Sequence, residues 1–201
     1  MPSDTEIQIL TKIKKARGGS LFFIDDFIDL GSYKTISKIL ERLVHKDEII
    51  RIARGMYSRK VIDPILGEIK PSINDIAKSI AKKERARIIP SGSTALNALG
   101  LSNQVPMNVV YLTDGAPRKI TIGNRTITFK KTSAKNLSTI GKISTLVIQA
   151  LKEIGNGNIS SEEEKIILKH LDKEDAYRLE HDIRFAPEWI RKIMRKALHN
   201  E

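Results

Sequence analysis

The sequence predicts an α+β protein of two domains, on three observations. Helical periods and a β-rich hairpin signal alternate over the first sixty residues, alternating strands gather in the middle of the chain, and the last third is helical throughout. At 201 residues and 40% hydrophobic, the chain is long enough to bury two small cores.

The N-terminal elements follow from local signals. Ser3 and Glu6 have capping-box spacing, and Ile7, Ile9, Leu10, Ile13 and Ala16 then share one side of a helix stopped at Gly18-Gly19. A short extended Leu21-Phe22-Phe23 leads to a brief second helix, Asp25 to Leu30, ended by Gly31. Ser32 caps a third helix in which Ile36, Ile39, Leu40, Leu43 and Val44 form an apolar stripe, while Lys34, Lys38, Glu41 and His45 fall opposite. Glu48 to Ile52 and Met56 to Lys60 read as strands around an Ala53-Arg54-Gly55 turn. Three helices and a hairpin in this order predict a winged helix-turn-helix over 1–63. Asp63-Pro64 then breaks the pattern, and 64–71 is expected as a linker.

Residues 72–201 are expected as a mixed α+β domain with terminal helices. Ser72 opens a helix to Lys83; Arg87 to Ile89 is a short strand, and Thr94 to Leu99 a compact helix closed by Gly100. Asn108 to Thr113 is a strand, and Lys119–Ile122 with Thr126–Lys130 a hairpin around Gly123-Asn124-Arg125. Helices are expected at Ile140–Ile154, Ser161–His170, Lys173–His181 and Pro187–Leu198, the last with proline in its first helical position.

Composition narrows the function. The 35 Lys and Arg outweigh 24 Asp and Glu, a net charge of +11, so the chain should attract polyanions. Residues 71–135 carry 11 basic and 3 acidic side chains, which makes the middle third the strongest attractor. With no cysteine there is no disulfide framework or thiolate metal site, in keeping with a cytoplasmic protein. No secretory leader is expected at the polar N-terminus, and no apolar run is long enough for a membrane helix.

A helix that enters the major groove reads bases and phosphates with its exposed N-terminal side chains. On the third helix these are Ser32, Tyr33, Lys34, Thr35, Ser37 and Lys38, with Ser32 serving equally well as a cap. The hairpin offers Arg51, Arg54, Arg59 and Lys60 to backbone phosphates, whereas Tyr57, at strand spacing, is better placed in the core. Lys82, Lys83, Arg85 and Arg87 are auxiliary phosphate contacts or partners of a helix dipole. The last helix sets Arg191, Lys192 and Arg195 against an apolar stripe, so it packs internally, covers a partner or tracks DNA.

Nothing in the sequence reads as an active site. His45, His170, His181 and His199 are scattered, and no metal-ligand spacing or cofactor fingerprint occurs. Ser91-Gly92-Ser93-Thr94 lacks the Gly-Lys-Ser/Thr ending of a phosphate loop, so Ser91 or Ser93 is expected to cap the next helix. Glu162 to Glu164 suit a helix N-terminus. The expectation is a protein without enzyme activity, metal or cofactor.

Three strings carry a family resemblance: Arg54-Gly55-Met56-Tyr57-Ser58, the run from Ile89 to Leu101 (IPSGSTALNALGL), and Val109 to Gly115 (VVYLTDG). Through them the chain up to about Lys131 resembles the AbiEi antitoxins of type IV abortive-infection toxin-antitoxin systems, in the branch with a DUF6088-type C-terminal region. The resemblance implies a transcriptional autorepressor bound to inverted repeats of operator DNA, as a homodimer or as two copies meeting there. It also implies an antidote to a nucleotidyltransferase-like toxin, with or without direct contact. The rival readings are a protein-interaction module and a generic winged-helix regulator with no toxin partner.

Overall fold

The computed structural model describes residues 3–198; Met1, Pro2 and 199–201, His199 among them, lie outside it. The chain is mixed α+β and divides between Ser79 and Ile80 into two compact units.

The first unit runs α1 (Asp4–Lys15), β1 (Leu21–Phe23), a 3-10 helix (Ile24–Leu30), α2 (Tyr33–His45), β2 (Ile49–Ala53) and β3 (Met56–Arg59). The expected second helix is therefore a 3-10 helix, opened by the Asp26 carboxylate accepting the Phe23 N–H at 2.7 Å. The strands form an antiparallel sheet in the order β1-β3-β2, with a bulge between Arg51 and Ala53. Ile9, Ile13, Phe22, Phe27, Ile36, Ile39, Leu40, Leu43, Ile49 and Tyr57 close one core. Each fully buried aliphatic side chain there contributes about 1.5–3 kcal/mol, so the α2 stripe anchors that helix firmly.

Ser3 caps α1 as expected, accepting the Glu6 N–H at 3.2 Å. The Glu6 side chain does not complete a capping box. It turns inward, 3% exposed, and joins Arg42 at 3.0 Å and Lys46 at 2.5 Å at the C-terminal end of α2. The Lys46 hydrogen bond, helped by both positive charges, holds its carboxyl below the ordinary glutamate range against the effect of burial.

The stretch expected as a linker holds structure of its own. β4 (Ile62–Asp63) and β5 (Gly67–Glu68) form a two-stranded antiparallel ribbon. Asp63 Oδ1 accepts the N–H groups of Ile65 and Leu66, both at 2.9 Å, and so fixes the turn. α3 (Ile73–Lys83), with the Ser72 hydroxyl accepting the Asp75 N–H, spans the division of the chain.

The second unit contains β6 (Ile88–Pro90), α4 (Ser93–Ala98), β7 (Asn108–Thr113), β8 (Arg118–Ile122), β9 (Arg125–Lys131), a 3-10 turn (Ala134–Leu137), α5 (Lys142–Ile154), α6 (Ser161–Leu171), α7 (Ala176–Ile183) and α8 (Glu188–Lys196). Its sheet has the order β6-β7-β9-β8. β7 and β9 are parallel and the other pairs antiparallel, so β9 lies between β7 and β8. Its helices close a core around α5, whose Val147, Ile148, Ala150 and Leu151 are all buried.

Three expectations shift here. α4 is capped by neither serine side chain: Gly92 is its N-cap, at φ 52 and ψ −127, and the Thr94 N–H goes to the Ser91 carbonyl. α5 begins at Lys142 because two remote carboxylates take the N–H groups before and inside its first turn. Asp182, fully buried, accepts from Ile140 and Gly141, each at 2.8 Å, and Glu174 accepts from Ile143 at 2.6 Å and Ser144 at 3.1 Å. Pro187 stands at the N-cap of α8, one residue earlier than expected. Among the described residues no helix is long and apolar enough to cross a membrane.

Candidate nucleic-acid interface

The apolar stripe of α2 decides which of its side chains face outward. With Ile36, Ile39, Leu40 and Leu43 at 1% exposure or less, the opposite surface presents Lys34, Lys38, Glu41 and His45, all exposed. Ser32, Tyr33 and Thr35 are exposed beside them at the N-terminal end, and Ser37 is half-buried. No carboxylate of the described residues pairs with Lys34 or Lys38.

Ser32 is the N-cap of α2. Its hydroxyl accepts the Thr35 N–H at 3.2 Å and lies 2.9 Å from the Thr35 hydroxyl. That pair leaves one hydroxyl hydrogen and the positive end of the helix turned to solvent, where an anionic oxygen is favoured. A shallow groove continues along this side of the helix, lined by Thr35, Lys38, Glu41, Arg42 and His45 with Ser3 at its edge.

The hairpin β2–β3 splits its four expected contacts into two kinds. Arg51 and Arg54 are exposed, Arg54 in the turn whose backbone Gly55 makes possible at φ 71. Arg59 and Lys60 have other partners. The Arg59 guanidinium donates to the Ala16 carbonyl at the end of α1, and its backbone N–H to the Ser20 carbonyl at 3.0 Å. Lys60, only 18% exposed, pairs with Asp47 and lies 4.0 Å from Glu68. Both therefore tie elements together, which sets them apart from Arg51 and Arg54.

Tyr57 is buried at 1% exposure, as its strand spacing predicts, and burial raises its phenol above the ordinary tyrosine range. The charges acting on it come from Arg51 on β2 and from Glu41 and Tyr33 on α2.

The basic run in the second unit is exposed at Lys82, Lys83, Arg85 and Arg87. Arg85 has left-handed backbone, φ 53, just past the end of α3. Arg87 is fixed through its main chain: its N–H reaches Asp114 at 2.7 Å and its carbonyl accepts the Thr113 hydroxyl at 2.9 Å. These bonds leave the Arg87 guanidinium outside the strand pairing. On α8, Arg191 donates to the Ala186 and Arg184 carbonyls and Lys196 pairs with Glu164, so that helix is held within its own unit.

Glu41 and His45, expected opposite the apolar stripe, are exposed there, though neither was expected as a DNA contact. Their spacing from Lys34 and Lys38, i+7 and i+11 from Lys34, was the signal available.

Comparison with known proteins places the chain in a family. A family model described as "Family of unknown function (DUF6088)" matches residues 8–179. None of the curated proteins matches. Among solved structures, the crystal structure of RV2827C protein from Mycobacterium tuberculosis is similar over 98% of this chain and 82% of that one, at 10% identity and a TM-score of 0.47. The family match spans most of the sequence: the chain belongs to the DUF6088 family.

Proposed function

We propose that the first unit is a winged helix-turn-helix that binds duplex DNA, with α2 in the major groove and the β2–β3 hairpin as a wing on the flanking backbone. One observation carries this reading: the unpaired Lys34 and Lys38 stand with Ser32, Tyr33 and Thr35 on the side of α2 opposite its buried stripe. Lysine there neutralises phosphate or contacts guanine, and the hydroxyls donate to phosphate. Arg51 and Arg54 extend the same positive surface onto the hairpin, and Lys82, Lys83, Arg85 and Arg87 supply further charge for backbone binding.

The biological role rests on the resemblance of three sequence strings to the AbiEi antitoxins. In this reading the protein is a cytoplasmic autorepressor on an inverted repeat, without catalytic activity, and it counteracts a nucleotidyltransferase-like toxin. The test is a gel shift of the full chain on the duplex upstream of its own gene, with Lys34→Ala/Lys38→Ala beside the native protein. Each lost base contact weakens binding by about 1–3 kcal/mol. Equal affinity in a folded double variant refutes the assignment of α2. For the antitoxin role, co-expression with the product of an adjacent nucleotidyltransferase gene should restore growth, and continued arrest refutes it.

A further inference from the structure

The β4–β5 ribbon concentrates exposed apolar surface as no other described segment does. Within eight residues, Ile62 is 66% exposed, Ile65 92%, Leu66 77% and Ile69 41%. Register sets Ile62 beside Glu68 on one face and Ile69 on the other, with Ile65 and Leu66 at the tip. The tip is ordered, because Asp63 Oδ1 holds two of its N–H groups and Gly67 takes left-handed backbone at φ 74. A rigid turn that displays isoleucine and leucine to water incurs a solvation cost that a binding surface explains.

We infer that this ribbon docks a second copy of the same chain. The four side chains expose on the order of 500 Å², the size of an apolar patch that marks an interaction site. Ile62, Ile65 and Leu66, on one face and the tip, give two copies on the order of 800 Å² of apolar surface to bury, most of what the smallest specific interface needs.

Charge selects the partner. The chain carries +11, so two copies repel wherever their basic faces approach. From residue 60 to 70 the charges are Lys60, Asp63, Glu68 and Lys70, which sum to zero and are partly paired, with Lys70 lying 3.8 Å and Lys60 4.0 Å from Glu68. Like copies can meet on this neutral element. A duplex is disfavoured, because the Asp63 carboxylate at the base of the tip opposes phosphate. Among the described residues the ribbon is two-stranded, with no further strand on either edge, so a symmetric copy can extend it while the two tips pack on each other. The inference goes beyond the DNA-binding reading and stands without it.

Sedimentation velocity on the full chain without DNA, across the micromolar range, tests it, with Ile65→Ser/Leu66→Ser as the variant. These side chains are largely exposed, so the variant should keep its fold, and an unchanged far-UV circular dichroism spectrum checks this. The native protein is expected to dimerise reversibly and the variant to need at least tenfold higher concentration. Added salt should strengthen the dimer by screening +11 against +11, whereas it weakens any binding to DNA. A native protein monomeric throughout, or a dimer indifferent to the substitution, overturns the inference. So does a variant that loses affinity for a single half-site duplex while the native chain is monomeric, since that outcome makes the tip a wedge into DNA. A dimer that binds no duplex leaves this inference standing and removes the DNA-binding reading instead.

Discussion

Arg54 and Arg59 lie five residues apart on one hairpin and do different work. Arg54 stands in the turn, exposed, while Arg59 reaches back to the Ala16 carbonyl and locks the end of α1 to β3. Arg59→Ala should therefore cost about 1–3 kcal/mol of folding stability and leave the salt dependence of DNA binding unchanged. Arg54→Ala should stay within about 0.5 kcal/mol of native stability and lower the salt slope by roughly one unit for its lost phosphate contact. Thermal melts beside salt titrations separate the two, and exchanged outcomes would contradict the assignment. The sequence could not distinguish them because β1 pairs with β3 across more than thirty residues. That pairing makes β3 the central strand, with Met56, Tyr57 and Ser58 buried in succession, and it brings Arg59 to the end of α1. By contrast, the outward residues of α2 were legible, since a helix declares its buried side through its own period.

Among the elements, carboxylates fix how helices begin and end. Glu6 joins α1 to the last turn of α2 through Arg42 and Lys46. Its carboxyl titrates below the ordinary value, so the folded state binds its proton more weakly than the unfolded chain does. The stabilisation is therefore present above the ordinary glutamate value and is lost as pH falls through the lowered one. Glu6→Gln should lower stability at neutral pH and flatten the acid limb of the stability curve; an identical acid limb in urea titrations would contradict the clamp. Asp182 does related work for α5, accepting from two backbone N–H groups and, at 2.5 Å, from the Ser144 hydroxyl. Asp182→Ala leaves these donors buried and unmatched and should cost about 2–4 kcal/mol, read from urea unfolding of the helical signal. A loss under about 0.5 kcal/mol would show that water replaces the carboxylate. Helix existence and the α5 period were legible in sequence, but its start was not, because its capping groups come from α7 and the turn before it. Ser160 with Glu163 is the opposite case, a capping box complete within four residues, at the start that Glu162 to Glu164 had marked.

For the molecule as a whole, charge and grease are kept on separate parts. Lys34 and Lys38 on the outer side of α2 pair with no carboxylate of the described residues, while the ribbon of β4 and β5 is apolar and neutral. The α+β class was legible from pattern alone, because strand and helix periods occupy distinct stretches. The ribbon was not, since Asp63-Pro64 and a following glycine read as a break, and the pairing of Ile62 with Glu68 leaves no periodic trace in two-residue strands. The central claim is that the charged side of α2 faces a double helix, and site-directed cleavage tests it most directly. The chain has no cysteine, so Glu41→Cys, on that side but outside the proposed contacts, can carry a single DNA-cleaving iron chelate. The expected result is cuts clustered at one position in the major groove of each half-site upstream of the gene, abolished by Lys34→Ala/Lys38→Ala. Cleavage that is absent, or spread evenly along the duplex while the protein is bound, would contradict it.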